Sequence, residues 1–345
     1  MASMRCVVVR EHGGFDRLRL EERSVPSPGP GQVRVRVQAI GVNHLDTWVR
    51  RGVPGHTFPL PLIPGSDASG VIDALGPGVA GVKEGDAVVV LPGVSCGACE
   101  ACQSGVDQLC RNYHILGESC DGTSAELVCV PVANIAPRPK GLGPNETASI
   151  CLVFQTAWNM LVRRAELRAG ETVLVHAGLS GVGSAAVQIA NVLGAQVIAT
   201  AGGPAKCAKV QALGAHHVID YKAKDFAAEV RALTGKAGVQ VVFEHVGGAT
   251  FEGSLKCLAR GGRLVTCGAT TGGAVQLSLH AVFFKSLSIL GSTMGSKGDL
   301  RGILRLFEQG RLRPVFDRAL PMAQVGEAHR LLESREAMGK IALVP

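Results

Sequence analysis

The sequence predicts an α/β protein in which a doubly wound parallel sheet is joined to a β-rich region. Three observations predict it. The first third of the chain alternates apolar and polar residues with a period of two. From about residue 171 the rhythm becomes strand, helix, strand. Between the first strand and helix of that rhythm lies a glycine turn, Gly178-Leu-Ser-Gly-Val-Gly183. At 345 residues the chain has room for about two domains and a core that needs no disulfide staples.

Taken in order, 26–31 (Pro-Ser-Pro-Gly-Pro-Gly) reads as a turn. After it, Val33, Val35, Val37 and Ala39 alternate with Gln32, Arg34, Arg36 and Gln38 as a half-buried strand. A short helix is expected over 44–51, stopped by Gly52, and strands over 67–75 and 86–91. Residues 172–177 are continuously apolar, as suits a strand covered on both faces. Helices follow at 182–193, 206–213, 225–234 and 250–258, with strands at 196–200, 218–219, 239–244, 263–267 and 288–293. Leu300, Ile303, Leu304 and Phe307 give the tail an amphipathic helix, and 340–344 a last strand.

Composition excludes several classes. Hydrophobic residues are 46% and charged ones 18%, too apolar for a disordered chain. Glycine, at 45 residues, has no three-residue period, so the chain is not collagenous. The net charge of +7 is spread out and aromatics are 4%, so no nucleic-acid surface is expected. The N-terminus has no signal peptide pattern, which predicts a cytoplasmic protein whose eleven cysteines stay reduced or bind metal. Residues 172–205 contain no Lys, Arg, Asp or Glu, but their glycines and changing period read as buried strand, turn, helix and strand, so no membrane partner is expected.

Two motifs carry chemistry. At the glycine turn small residues let the backbone approach a pyrophosphate, and the free amides of the following helix point at its charge. The residues concerned are Gly178, Ser180, Gly181, Val182 and Gly183. The end of the second strand, Thr200, Ala201 and Gly202, carries no acid for ribose hydroxyls; it leaves room for a 2′-phosphate that Lys206 can meet and Tyr221 can cover. NADP(H) is therefore expected over NAD. The second motif is Cys96, Cys99, Cys102 and Cys110, spaced C-x2-C-x2-C-x7-C. Four thiolates close a tetrahedral shell around zinc with no position left for substrate, which predicts one structural zinc per chain.

Together the β-rich start, the cysteine lobe, the glycine turn and the short return tail resemble the medium-chain dehydrogenase/reductase superfamily. The resemblance implies a GroES-like catalytic domain over 1–153 with a zinc lobe at 93–119, a Rossmann domain over 154–294, and a return segment over 295–345. Zinc alcohol dehydrogenases of that superfamily hold a second, catalytic zinc on a cysteine, a His-Glu pair and another cysteine. Here Asn43 stands where the first cysteine belongs, Gly65-Ser-Asp67 replaces Gly-His-Glu, and Leu152 stands at the third position with Cys151 beside it. The segments Asn43-His-Leu-Asp-Thr-Trp48 and Phe154-Gln-Thr-Ala-Trp158 look instead like the quinone oxidoreductase branch.

That branch implies NADPH-dependent reduction of a C=C bond conjugated to a carbonyl, in an enone, a quinone or an enoyl-CoA thioester, without a catalytic metal. The enolate that forms needs only hydrogen-bond donors. The candidates are the Asn43 amide, His44 and the Ser66 hydroxyl, with Asp46 holding the loop and Asp67 assisting proton traffic. By family position Thr156, Val246, Gly268, Ala269, Thr270, Ser292, Thr293 and Met294 meet the cofactor. The apolar 288–293 strand is expected at a sheet edge, which implies at least a homodimer. The competing readings are a zinc-dependent alcohol dehydrogenase and an NADPH-binding protein without catalysis.

Overall fold

The structure, a computed structural model, describes residues 2–345. The chain divides into two compact units. One takes the chain up to Leu152 together with Ser296–Pro345, and the other is Val153–Gly295.

The first unit is built around the strand Gln32–Gly41. Val33, Val35 and Ala39 on its inner face are fully buried, while Arg34 and Arg36 face outward onto the Asp73 carboxylate. The seven-stranded sheet runs Phe316–Pro321, Lys340–Val344, Gln32–Gly41, Asp67–Leu75, Ala87–Val90 and Ile135–Pro137, with Leu127–Pro131 also on Gln32–Gly41. Register matters most at one end. Gly41 lies opposite Asp67 on one side and Ala342 on the other. A Cβ on Gly41 would stand 1.9 Å from the Ala148 carbonyl oxygen, so no larger residue fits there. Next comes the helix His44–Arg51, whose first turn is fastened by the Asn43 backbone N–H donating to Asp46 Oδ2 at 2.7 Å.

The second unit holds a six-stranded sheet in the order His217–Asp220, Gln196–Ala201, Thr172–Val175, Val239–Glu244, Leu258–Thr266 and Ser288–Gly291. Every neighbouring pair is parallel. In chain order this is 3-2-1-4-5-6, the doubly wound arrangement, with its switch point between Thr172–Val175 and Val239–Glu244. Val173, Leu174 and Val175 have no exposure, as their unbroken apolar run predicts. The charge-free 172–205 stretch is strand, turn, helix and strand, and no helix among the described residues is long and apolar enough to cross a membrane.

Several elements differ from expectation. The last strand of the parallel sheet stops at Gly291 rather than at 293, and Leu258–Thr266 begins directly where the preceding helix ends. The strand Phe316–Pro321, the hairpin of Ser3–Val9 with Leu18–Ser24, and the helices Cys151–Trp158, Leu279–Lys285 and Val325–Glu333 add to the pattern. Leu279–Lys285 escapes periodicity because Val282 packs against the core while Leu279, Phe283 and Phe284 stand in solvent, too little of a stripe to read.

Candidate active site

The cysteine lobe is assembled by local chain. The four Sγ atoms of Cys96, Cys99, Cys102 and Cys110 lie within 4.8 Å of one another. The backbone amides of Ala98 and Cys99, with neighbouring thiols, pull Cys96 down to about 6, so a thiolate forms readily there. Lys297 anchors the lobe: its ammonium donates to Ser95 Oγ at 2.6 Å and lies 3.1 Å from Asp107 Oδ2, while its backbone N–H reaches Asp107 Oδ1. The donor set fits a closed tetrahedral zinc, which these four cysteines would hold.

A second cluster forms where the strand register brings three chain segments together. Asn43, Asp46, Ser66 and Asp67 are all buried, and so is Lys340, which the sequence reading did not single out. The Lys340 ammonium donates to the Val42 carbonyl at 2.6 Å and to Asn43 Oδ1, and stands 3.9 Å from Asp67 Oδ2. Asn43 Nδ2 donates to Asp67 Oδ2 at 3.0 Å and to the Gly41 carbonyl at 3.3 Å. Asp67 Oδ1 accepts from the Leu152 backbone N–H at 2.9 Å.

In this structure the Asn43 side chain is engaged within the cluster. Both hydrogens of its amide are spent on Gly41 and Asp67, so it organises the cluster rather than donating outward. Ser66 is different: its hydroxyl is buried and finds no partner, and such a group costs about 1–3 kcal/mol unless something meets it. His44 is half-buried on the first helical turn. Burial pushes Asp46 up to about 7, against the pull of the Asn43 backbone N–H and the Lys340 charge. Burial likewise raises Asp67, with Lys340 pulling the other way, and lowers Lys340 itself. Cys151 is fully buried and its thiol is pushed well above the ordinary range, first by burial and then by Asp67. Among the described residues the cysteine lobe is the one group of three or more His, Cys, Asp or Glu donors close enough to share a metal.

In the second unit the expected cofactor residues follow the carboxyl ends of the parallel strands. Ser180 caps the helix Gly181–Val192, its Oγ accepting the Gly183 N–H at 3.0 Å. A Cβ on Gly183 would stand 2.2 Å from the Ala177 oxygen, and one on Gly178 would press Val210 and Ala199 at 3.0 and 3.1 Å. Gly181 and Val182 supply the first helical amides, which a helix leaves without internal acceptors. This cradle fits a pyrophosphate.

At the second strand end, Thr200 and Ala201 are buried, and the space above Gly202 is closed by Tyr221, whose Oη would be 2.6 Å from an added Cβ, and by Lys222. Lys206 sits in the first turn of Pro204–Ala212. Sequence reasoning missed Asp220, whose Oδ1 accepts from the Gly203 and Lys222 backbone N–H groups at 3.0 Å each and so shapes this loop. Val246 donates its N–H to Glu244 Oε1 and accepts from Thr271. Gly268, Ala269 and Thr270 follow the strand ending at Thr266. Ser292 Oγ accepts from Asn159 Nδ2 at 2.8 Å, beside Thr293, and Met294 is buried with φ 44°. Thr156 lies buried in Cys151–Trp158.

Known proteins agree with this architecture. The family model described as Alcohol dehydrogenase GroES-like domain matches residues 29–140, and that described as Zinc-binding dehydrogenase matches 181–309. A quinone oxidoreductase of Rattus norvegicus is 32% identical over 99% of this chain and 98% of its own. A 2-haloacrylate reductase of a Burkholderia species is 31% identical, with 98% of each chain covered. Among solved structures, an NAD-dependent alcohol dehydrogenase is 50% identical with a TM-score of 0.95, covering 99% of this chain and 100% of that one. A crotonyl-CoA carboxylase/reductase in complex with NADP is 26% identical with a TM-score of 0.91, covering 99% and 94%. The chain belongs to the medium-chain dehydrogenase/reductase superfamily of oxidoreductases and is quinone oxidoreductase-like.

Proposed function

We propose that this protein is an NADPH-dependent reductase of carbon–carbon double bonds conjugated to a carbonyl. The observation that carries the reading is the cluster at Asn43. Where an alcohol dehydrogenase of this superfamily needs a Lewis-acid zinc to form an alkoxide, this chain sets an amide, an orphan hydroxyl and a buried ammonium, with no three-donor set there among the described residues. Reducing a conjugated double bond makes a lesser demand, because the charge delocalises onto the carbonyl oxygen and a hydrogen-bond donor stabilises it. Ser66 is the donor with capacity left for that oxygen, and His44 is the second candidate. Asn43, Asp67 and Lys340 hold the loop that carries them, and Asp46 accepts the Asn43 backbone N–H. Haloacrylate and crotonyl-CoA, the compounds named for two relatives, are both α,β-unsaturated carbonyl compounds, which supports the same class here.

NADPH, when bound, supplies the hydride. Gly178, Ser180, Gly181, Val182 and Gly183 would hold its pyrophosphate, and Lys206, Lys222 and Tyr221 its 2′-phosphate around the acid-free Thr200–Gly202 end. One structural zinc would sit on the cysteine lobe. The edge strand Ser288–Gly291, flanked by exposed Leu279, Phe283 and Phe284, is the surface on which we place a second copy of the chain; a solution mass corresponding to a monomer at micromolar concentration would count against that placement.

A second reading has a specific observation behind it: the 50% identical structure bears the name of an NAD-dependent alcohol dehydrogenase. One assay separates the two. The purified protein is offered NADPH or NADH with an enone, a quinone, a haloacrylate and an enoyl-CoA, and the oxidised cofactors with simple alcohols, each with and without a chelator. The proposal expects NADPH-driven reduction in at least one of the first four, insensitive to brief chelation. Alcohol oxidation with NAD that a chelator abolishes, and no reduction of any activated double bond, would overturn it.

A further inference from the structure

Beneath the glycine turn runs a line of buried polar groups that no expected site residue explains. His176, Glu244 and Ser254 are 1%, 1% and 0% exposed. Glu244 Oε2 accepts from Ser254 Oγ at 2.8 Å, and Ser254 Oγ lies 2.9 Å from His176 Nε2. His176 Nδ1 faces Thr200 Oγ1 at 3.4 Å, and Thr200 Oγ1 accepts from the Ala177 backbone N–H at 3.0 Å. On its other oxygen Glu244 accepts from the Val246 and Gly247 backbone N–H groups at 2.7 and 3.0 Å and from Thr250 Oγ1 at 3.0 Å. The line thus touches the ends of three adjacent strands, Thr172–Val175, Gln196–Ala201 and Val239–Glu244.

Chemistry gives the line a direction. Ser254 Oγ also lies 2.8 Å from the Thr250 carbonyl, and since that oxygen and an ionised carboxylate only accept, the Ser254 proton is turned toward them and away from His176. The Ser254 oxygen then takes the His176 Nε2–H. That leaves His176 Nδ1 as an acceptor, so the Thr200 proton points at it. Thr200 is left with a lone pair facing the Ala177 N–H. Burial holds His176 neutral, lowering it to about 4, which this tautomer requires.

Ala177 is a hub worth this much apparatus. It adopts φ 45°, a left-handed conformation that costs a residue with a Cβ about 1–2 kcal/mol. Its carbonyl accepts the Ser180 N–H at 2.8 Å and is the atom that forbids any side chain at Gly183. Where the Ala177 peptide sits therefore decides where the capping serine and the start of the helix sit. We infer that Glu244, Ser254 and His176 are positioning residues which, through Thr200, hold the Ala177 peptide and with it the glycine turn in the form that takes a dinucleotide pyrophosphate. The inference rests on the reading of that turn as a cofactor site.

The test compares Thr200→Val, Thr200→Ser and Ser254→Ala with the natural chain. The readouts are the dissociation constants of NADPH and of NADH, from titration of nucleotide fluorescence, and the melting temperature without nucleotide. Thr200→Val keeps the shape and removes the hydroxyl. It should weaken both nucleotides by about tenfold, the equivalent of one good hydrogen bond. The loss should be equal for the two, since the pyrophosphate is common to them. Thr200→Ser restores the hydroxyl and should bind within about twofold of the natural chain, and Ser254→Ala should behave like Thr200→Val. Should Ser254→Ala fail to fold, the Thr200 pair still decides. Unchanged affinity in Thr200→Val, or no recovery in Thr200→Ser, overturns the inference while leaving the cofactor reading intact. A natural chain that binds neither nucleotide overturns both.

Discussion

In the cysteine lobe, four sulfurs converge within 4.8 Å of one another on one short loop. In the Asn43 cluster of the same unit, a lysine ammonium, an amide and two carboxylates are gathered around Asn43 and Asp67, the positions that resemblance would give to ligands of a second metal. Both regions bring charge into a folded domain, and they balance it differently. The lobe concentrates potential thiolates that only an external cation can neutralise. The cluster carries its own cation, Lys340, drawn from the other end of the chain. The lobe's shape should therefore depend on a metal and the cluster's should not.

The largest expected effect breaks the lobe. Purified protein should hold one tightly bound zinc per chain, and Cys99→Ser should lose it together with several kcal/mol of stability, because metal binding there is folding free energy. Elemental analysis and denaturation report both. Two tight zincs per chain would erase the contrast, since the Asn43 cluster would then be a metal site after all.

The next effect breaks the cluster. Lys340→Met leaves Asp67 buried without its nearest cation, and removing one partner of such a pair costs about 3–5 kcal/mol. The double variant Lys340→Met with Asp67→Asn should recover a large part of that loss, and zinc content should stay at one in both. If the two losses simply add, the carboxylate and the ammonium are not coupled and the cluster is not balanced internally.

The two regions also differ in how far the sequence reveals them. The lobe's four cysteines lie within fifteen consecutive residues, and their spacing alone points to one group of four sulfurs. Lys340 and Asn43 are 297 residues apart. They meet because Gly41 pairs with Ala342 in a sheet register that no local pattern encodes. Asn43 and Asp67 were legible as positions, but the commitment of Asn43's donors to Gly41 and Asp67 was not, since it depends on the same register. Elsewhere the glycine turn and the parallel strands were legible because buried strands are uniformly apolar. The helix Leu279–Lys285 was not, because it turns Leu279, Phe283 and Phe284 outward and leaves little but Val282 against the core. His176 and Glu244 were hidden for a related reason: each is a single polar residue in an apolar strand segment, meaningful only beside its neighbours.

A smaller effect sharpens the contrast within the cluster itself. If Ser66 is the unspent donor and Asn43 the organiser, Ser66→Ala should lower turnover on an activated double bond by about 10²-fold. Its NADPH affinity and melting temperature should stay near those of the natural chain, because the lost hydroxyl had no partner. Asn43→Ala should instead lower melting temperature and turnover together. The same pattern for both variants would mean that Ser66 is merely structural.

The smallest effect concerns protons. Asp46 has a folded value of about 7 against an ordinary value of 3.8, burial being the chief cause. Below the ordinary value both folded and unfolded chains hold this proton, and above about 7 both have released it. Between the two the folded state holds the proton and the unfolded state does not, so this group makes stability fall as pH rises through that window. The cysteine lobe should respond in the opposite sense, since acid protonates thiolates and weakens their hold on metal. Asp46→Asn keeps an oxygen for the Asn43 N–H and cannot titrate. Unfolding free energies of the two proteins, measured from pH 4 to 8 with zinc in excess, should therefore differ by an amount that grows from acid to neutral pH and then levels off, in favour of the variant. A constant difference across the window would show that Asp46 is ionised throughout, and that Lys340 balances two carboxylates rather than one.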